Sequence, residues 1–284
     1  MKGAWRSGGR SRARLLVFAL LAAGLLLASF LPSLGVPYDP YAQDLSMALQ
    51  PPDRAHWLGT DRYGRDLLAR VLLGGQTSIP AALVAAALAA VTGSLLGAAA
   101  GWRGGWPETA VLRLADLALA VPGLVLAMAL AAAMNGGTFA AVGALALAGW
   151  PKYARLARSL TLTVRESDFL AAARLSGGGT AYLLRRHVLP NIFGPLAVTA
   201  ALDTGTMMME LAALSFLGLG AAPPAAEWGA MISEGRSLLQ TCPWMVAGPG
   251  AAVAVTVTVW NLLGDAARDA MDVRGRARQG REAS

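Results

Sequence analysis

The sequence predicts an all-α integral membrane protein with six transmembrane helices. Of the 284 residues, 55% are hydrophobic and only 14% are charged, whereas a soluble domain has about 25% charged residues. The apolar residues come in long runs, and the mean hydropathy is +0.49. Most Lys and Arg residues lie between the runs, as expected when the loops of a membrane protein carry the charge.

Six apolar stretches approach the roughly 20 residues needed to cross the hydrocarbon core. They lie at 15–34, 78–100, 111–134, 138–157, 192–214 and 244–263. The fourth is the weakest, because Trp-Pro-Lys interrupts it at 150–152. Pro122 and Gly123 predict a kink in the third. The first run also fits a signal peptide, but no clear A-x-A cleavage site follows Phe30, and an uncleaved helix is preferred.

The positive charges predict the orientation, because cytoplasmic loops are enriched in Lys and Arg. If the N-terminus is cytoplasmic, only five of the 24 Lys and Arg residues fall outside, namely Arg54, Arg62, Arg65, Arg70 and Arg236. Both termini are therefore predicted in the cytoplasm. The predicted regions are a basic N-terminus (1–14), a first transmembrane helix (15–34), a periplasmic segment (35–77), a five-helix core (78–272) and a cytoplasmic tail (273–284).

Several functional classes are excluded by composition and by missing motifs. A single cysteine, Cys242, excludes a disulfide scaffold. The net charge of +7 comes from residues between the spans and not from one soluble face, so nucleic acid is not predicted as a partner. The sequence has no GxxxxGK[ST], HExxH or GxSxG motif. We therefore expect no catalytic residue and no cofactor in this chain, and any energy must come from a partner.

The two histidines do not predict a metal site. In the predicted topology His56 lies outside the membrane and His187 inside, so they cannot bind one ion together. Without a His or Cys pair, no residue is assigned firmly as a metal ligand.

The loop between the fourth and fifth spans, residues 158–191, contains the string FLAAARLSGGGTAYLLRRHVLP. It predicts a short helix over 169–175, a glycine turn at 177–179 and a second helical stretch over 181–188. The Leu-Pro pair at 189–190 is predicted to end that stretch. The loop thus presents a short amphipathic helix to the cytoplasm between two spans.

This string resembles the EAA loop of ATP-binding-cassette (ABC) importer permeases. That pattern has Glu-Ala-Ala, three residues, Gly, nine residues, a hydrophobic position, one residue and Leu-Pro, and the spacing is matched throughout. Two positions depart from it: Ala171 stands in place of the glutamate, and His187 in place of the usual isoleucine. The resemblance implies that coupling to an ATPase involves Ala171, Ala172, Ala173, Gly177, Arg185, Arg186, Leu189 and Pro190.

Further segments resemble the dipeptide, oligopeptide and nickel permeases. HWLGTDRYGRDLLARVLLGGQTS at 56–78 is similar to their GTDxxGRDxxSRxxxGxRxS signature, with Ala69 and Gln76 in place of the usual Ser and Arg. Other matches occur in the same order along the chain: GWPKYARLARSL, SFLGLG, EWGAMI and NLLGDAARDAMD. The chain is identified as a member of this family, of its second-permease type.

The resemblance implies a type I ABC importer permease and a set of partners. The subunit pairs with a homologous second permease, two ATPases that bind ATP-Mg dock on the EAA loops, and a periplasmic binding protein delivers the substrate. ATP binding moves the loop helices and switches the cavity from inward-facing to outward-facing. Gly177 to Gly179 and Pro190 suit the hinge positions of such a lever.

Two acidic residues in the fifth span, Asp203 and Glu210, lie two helical turns apart on one face. Charged residues in a span usually face a cavity or a helix partner, and both roles stay open. The adjacent Met207, Met208 and Met209 suit packing or metal contact, with packing favoured. The candidate translocation path consists of Asp203, Met207 and Glu210.

The substrate has two candidates at this level. The phrases ARLSG, LDTGTMMMELA and PAAEWGAMI resemble the nickel permeases more than the dipeptide permeases, so import of nickel or a nickel chelate is favoured over import of dipeptides or oligopeptides. The lack of His and Cys pairs favours a chelated ion over a bare one. A membrane-embedded enzyme or a scaffold without transport is a third alternative, but the sequence has neither a catalytic pair nor a soluble domain to support it.

Overall fold

The computed structural model describes residues 2–30 and 38–282, with side chains for 13–30 and 38–271. The end of the predicted first span (31–34), the start of the predicted periplasmic segment (35–37) and residues 283–284 of the tail lie outside the described residues. Within the described ranges the regular elements are all helical, which confirms the predicted fold class. The α-helices are α1 (Lys2–Ala28), α2 (Leu67–Arg103), α3 (Gly105–Leu119), α4 (Gly123–Ala133), α5 (Thr138–Arg165), α6 (Asp168–Leu175), α7 (Thr180–Leu183), α8 (Leu189–Phe216), α9 (Trp228–Gly235) and α10 (Trp244–Glu282).

Among the residues that the structure describes, three helical segments are long and apolar enough to cross a membrane: α2, the continuous segment Thr180–Phe216 and α10 as far as Met271. The pair α3 and α4 would make a fourth span, but it is bent by 95° at Pro122, which confirms the predicted kink. The apolar part of α1, Ala13–Ala28, is shorter than a span. In α5 the charges of Lys152 and Arg155 lower the hydropathy. The number of six spans therefore stays a prediction.

Helices α2 and α5 lie almost backbone to backbone. Three glycines of α2 recur every fourth residue and so share one face. A Cβ on Gly93 would lie 2.2 Å from the carbonyl oxygen of Trp150, and a Cβ on Gly97 would lie 2.0 Å from that of Ala154. At Gly101 the distance to the carbonyl oxygen of Arg158 is 3.0 Å. Small residues at such spacing allow close helix packing in a membrane, where the hydrophobic effect does not drive helices together.

Helix α8 packs against α2, α5 and α10. Its contact with α10 also depends on glycines: a Cβ on Gly205 would lie 2.4 Å from Oδ1 of Asn261, and a Cβ on Gly264 would lie 2.7 Å from the Leu202 side chain. At the cytoplasmic end predicted from the charges, ion pairs Arg158–Glu108 and Arg155–Asp116 join α5 to α3.

The prediction that the second loop helix ends at Leu189-Pro190 is wrong. A π-helical turn, Leu184–Val188, joins α7 to α8 without a break. In this turn the N–H of Leu189 donates to the carbonyl of Leu184, five residues earlier. The wider turn relieves the clash that the Pro190 ring would otherwise make with the carbonyl four residues before it. The terminal helices are also longer than the predicted spans, since α1 begins at Lys2 and α10 continues to Glu282.

Candidate functional site

The loop helix α6 ends in a turn that requires glycine. The N–H of Gly177 donates to the carbonyl of Arg174 at 3.0 Å, and the N–H of Gly178 donates to that of Ala173 at 3.1 Å. Gly177 has φ of +84°. This pair of hydrogen bonds around a left-handed residue is the Schellman motif, which satisfies the last carbonyls of a helix. The predicted helix, glycine turn and second helix are confirmed.

The loop presents a mixed apolar and basic surface. Leu175, at the end of α6, is 90% exposed, and Tyr182 on α7 is also exposed. Leu170, Leu183 and Val188 are buried and hold the loop against the bundle. Of the eight residues that the resemblance assigned to coupling, Ala173 is half-buried. The other seven are exposed, namely Ala171, Ala172, Gly177, Arg185, Arg186, Leu189 and Pro190.

His187, which stands where an isoleucine is usual, lies between two aromatic rings of the loop. Its ring centroid is 6.1 Å from that of Phe169 on α6 and 5.7 Å from that of Tyr182 on α7. The imidazole therefore fills the space between the two loop helices.

Two arginines connect the loop to the last turn of α2. The guanidinium carbon of Arg174 lies 5.1 Å from the ring centroid of Trp102. Arg165, in the last turn of α5, donates from Nη1 to the carbonyl oxygens of Gly101 at 3.0 Å and Trp102 at 3.3 Å. A cation at the C-terminal end of a helix is favourable because the unpaired carbonyls there carry partial negative charge.

A second cluster of polar side chains lies between α5 and α8. The hydroxyl of Tyr153 donates to Oδ2 of Asp203 at 2.8 Å, and Nζ of Lys152 forms an ion pair with the same oxygen. Asp203 and Tyr153 are buried, whereas the Lys152 side chain is 40% exposed. Asp203 thus pairs with α5. Glu210 is half-buried and lies within electrostatic range of Lys152 and Asp203, but its carboxylate has neither a hydrogen bond nor an ion pair within the described part of the chain.

The three methionines of α8 differ in their surroundings. Met207 and Met208 are buried in the core, and a Cβ on Gly149 would lie 2.7 Å from Cε of Met207. Met209 is 58% exposed. In the part of the chain that the structure describes, no three His, Cys, Asp or Glu side chains lie close enough to hold a metal ion.

The segment that matches the GTDxxGRD signature forms a buried polar network, a role that the sequence did not reveal. Nε of Arg65 donates to Oδ2 of Asp61 at 2.6 Å, and Nε of Arg70 lies 3.5 Å from the same oxygen. Nδ1 of His56 lies 2.9 Å from Oδ1 of Asp66. The other Asp66 oxygen accepts from the N–H of Ala69 at 2.7 Å, which caps the first turn of α2.

The glycine of this signature allows the chain to double back against the preceding segment. Gly64 has φ of +71°, and a Cβ there would lie 1.7 Å from the carbonyl oxygen of Asp44. Asp44 is itself exposed, and hydrogen bonds from the side chain and backbone of Ser46 lower the pKa of its carboxyl group.

The segment EWGAMI attaches α9 to α2. The carboxylate of Glu227 accepts from the N–H groups of Gly229 and Ala230 at 3.0 and 2.9 Å, and from the Ser78 hydroxyl at 3.1 Å. The indole N–H of Trp228 donates to the carbonyl of Val71 at 2.7 Å. The two outer motifs therefore form one structure around the first turns of α2, although about 150 residues separate Ser78 from Glu227 in the chain.

The sequence of this chain is similar to transport permease proteins over most of its length. Residues 93–276 match the family described as "Binding-protein-dependent transport system inner membrane component". The chain is 45% identical over 255 residues to the "Probable D,D-dipeptide transport system permease protein DdpC" of Escherichia coli strain K12, an alignment that covers 90% of this chain and 85% of that protein.

Two other relatives carry different substrates in their names. The "Nickel transport system permease protein NikC" of Escherichia coli strain K12 is 38% identical, over 92% of this chain and 93% of its own length. The "Glutathione transport system permease protein GsiD" of Salmonella typhimurium is 40% identical, over 94% and 90%. The chain therefore belongs to the family of binding-protein-dependent transport system inner membrane components, as the permease subunit of an ABC importer.

Proposed function

We propose that this chain is one of two transmembrane subunits of an ATP-driven importer of short peptides. It lies in a bacterial inner membrane with both termini in the cytoplasm, a periplasmic binding protein delivers the peptide, and two ATPases that bind ATP-Mg supply the energy. The observation that carries the substrate assignment is the arrangement of Lys152, Asp203 and Glu210 between α5 and α8.

The exposed charges on these helices support a second permease. The Lys152 side chain is 40% exposed and Glu210 is half-buried. A charged side chain at the bilayer centre costs about 2.5–3.5 kcal/mol on insertion scales, so lipid is an unfavourable neighbour for this face. A homologous subunit that covers it would leave a polar path between the two chains.

The charges on this face suit a zwitterionic peptide. The ammonium group of Lys152 is partly free to meet a carboxylate, and the carboxylate of Glu210 is unpaired in the described residues. A short peptide carries one group of each sign. In this proposal Lys152 and Glu210 contact the substrate, Asp203 and Tyr153 hold Lys152 in position, and Met207 packs α8 against α5.

The sequence phrases favoured import of nickel or a nickel chelate, and within that alternative the same arrangement argues against a bare nickel ion. An ammonium group beside Asp203 repels a cation, and the sulfur atoms of Met207 and Met208 lie in the packed core. A nickel chelate is the second candidate, because Met209 exposes a thioether one residue from Glu210 and a nickel permease is 38% identical to this chain.

The loop surface is proposed as the docking site of an ATPase. The exposed side chain of Leu175, the neighbouring alanines at 171 and 172, and Arg185 and Arg186 would contact the partner without the glutamate of the usual pattern. Because helix is continuous from Thr180 to Phe216, motion of the second loop helix would pass into α8. Membership of a transport family gives no support to an enzyme or a scaffold.

Uptake by intact cells tests the substrate. Cells that express the partner subunits, with or without this chain, are given a labelled L-dipeptide, a labelled D,D-dipeptide or labelled nickel. We expect that cells take up a labelled peptide only when this chain is present. Excess nickel is expected not to inhibit that uptake. Uptake of nickel that depends on the chain and ignores peptides would reject the peptide proposal in favour of the second candidate.

A further inference from the structure

We propose that Trp102 and Arg174 form the contact through which the loop helix α6 moves the cytoplasmic end of α2. The inference rests on the proposed docking of an ATPase on α6. Arg174 and Trp102 are positioning residues in this scheme, since neither touches ATP or the transported substrate.

The contact lies beside Leu170, on the face of α6 that packs against the bundle, and Arg174 itself is exposed at the edge of that face. Leu170 and Arg174 are four residues apart and therefore on the same side of the helix. Leu170 is completely buried, and the guanidinium carbon of Arg174 lies 5.1 Å from the ring centroid of Trp102. An Arg above an indole is a favourable cation–π pair. Trp102 in turn packs against the hydrophobic core from the last turn of α2.

The contact connects α6 to α2 across a non-helical break that separates α6 from α5. α5 ends at Arg165 and α6 begins at Asp168, so two non-helical residues separate them, and the Gly177 turn follows α6. By contrast, α2 and α5 are fixed to each other by the close contacts at Gly93 and Gly97. Arg165 adds hydrogen bonds from α5 to the carbonyls of Gly101 and Trp102. Helices α2 and α5 therefore form one rigid body, and α6 is the element free to move against it.

A displacement of α6 at this contact would reach the other end of the molecule. α2 runs from Leu67 to Arg103 without a break, with Pro80 inside it, and the buried network of Asp61, Asp66 and Arg70 lies at its N-terminal end. A packed helix can carry coupling between distant sites when it has two discrete arrangements. The pair at 102 and 174 would thus couple the ATPase side to the outer segment through α2, separately from the route through α8.

The test measures the amount of substrate transported per ATP hydrolysed, in proteoliposomes that contain the two permeases, the ATPases and the binding protein. The variants are Trp102→Ala, Arg174→Ala and the double variant. We expect each single variant to lower this ratio by about two- to tenfold and the double variant to lower it no further, because both remove one contact. Trp102→Phe keeps an aromatic ring and is expected to restore most of the ratio.

Two controls separate transmission from folding and docking. Trp106 is 81% exposed and lies four residues beyond Trp102, so Trp106→Ala is expected to leave the ratio unchanged. Amounts of the chain in the membrane and of co-purified ATPase are expected to equal wild type in every variant. A normal ratio in Trp102→Ala, additive losses in the double variant, or loss of co-purified ATPase in Arg174→Ala would overturn the inference.

Failure of the proposed function gives a different result. The ratio is measured with the labelled dipeptide, or with nickel if uptake identifies nickel, so an error in the substrate leaves this test intact. A wild-type chain that binds no ATPase through its loop would reject the proposed docking, and the inference with it.

Discussion

Gly97 of α2 lies so close to Ala154 of α5 that a Cβ on the glycine would fall 2.0 Å from the alanine's carbonyl oxygen. No rotation of a side chain can relieve this overlap, because the opposing atom belongs to the backbone. The distance between the two helices thus depends on the absence of a side chain at residue 97. The positions of Lys152 and Tyr153 on α5 depend on the same distance.

Replacement of Gly97 by Val is expected to separate α2 from α5. Overpacking of a close contact typically destabilises a protein by about 1–3 kcal/mol. We expect a loss near the upper end of that range, because the opposing atom belongs to the backbone and cannot move aside. The variant should show a lower thermal midpoint in detergent and less protein in the membrane. Gly250→Val is the matched control, since no atom of the described residues, outside the neighbouring backbone of its own helix, would lie within 4 Å of a Cβ on Gly250. Equal stability of the two variants would contradict the packing argument.

Replacement of Gly177 by Val is expected to deform the end of α6. A left-handed conformation costs an L-residue about 1–2 kcal/mol, and a β-branched side chain is the least tolerant. We expect normal insertion but a several-fold loss of transport per ATP hydrolysed. Gly179→Ala, at a residue with ordinary φ and open space, is the control, and Gly177→Asn should be milder because Asn tolerates this conformation. Wild-type coupling in Gly177→Val would refute the role of the turn.

Replacement of Asp203 by Asn is expected to reduce the amount of folded protein. The change leaves the ammonium of Lys152 without its ion pair and weakens the bond from Tyr153. Removal of one partner of a fully buried pair costs about 3–5 kcal/mol, and the partial exposure of Lys152 places the loss below that. Membrane abundance and thermal midpoint report it. The double variant Lys152→Met with Asp203→Asn should recover stability, whereas additive losses would count against pairing.

Replacement of Glu210 by Gln is expected to act on transport and not on folding. Since Glu210 has no ion pair in the described part of the chain, loss of its charge leaves no buried cation unpaired there. We expect wild-type abundance with a KM for the peptide raised several-fold. A parallel fall in abundance and uptake would show instead that Glu210 stabilises the helix bundle.

Replacement of Asp61 by Asn is expected to destabilise the outer segment. Arg65 and Arg70 are both buried and share the Asp61 carboxylate, so the change leaves two buried cations with one fewer anion. Breaking such a pair costs about 3–5 kcal/mol. Limited proteolysis of intact spheroplasts should then cut the segment 38–66 faster than in wild type. Asp39→Asn, an exposed residue whose amide can still accept from Tyr41, is the control.

Local sequence patterns predicted the helices and turns well, but they did not predict contacts between residues that are distant in the sequence. Apolar runs predicted the helices, Pro122 predicted the bend, and the glycines after Ser176 predicted the turn, since each of these depends on a few adjacent residues. The ion pair of Lys152 with Asp203 joins residues 51 positions apart, which no spacing rule reveals. The glycines at 93, 97 and 101 recur every fourth residue in the sequence. This spacing could have predicted that α2 packs closely against another helix, but not which helix.

The two ends of the loop are connected differently to the spans. Non-helical residues precede α6 and a glycine turn follows it, but from Thr180 the helix passes through the π-helical turn and on to Phe216 without interruption. Pro190 therefore lies inside a continuous helical segment. In the proposed mechanism, a rotation imposed on this segment at Tyr182 would also change the azimuth of Asp203 and Glu210, so the orientation of one segment would govern the direction that these two side chains face.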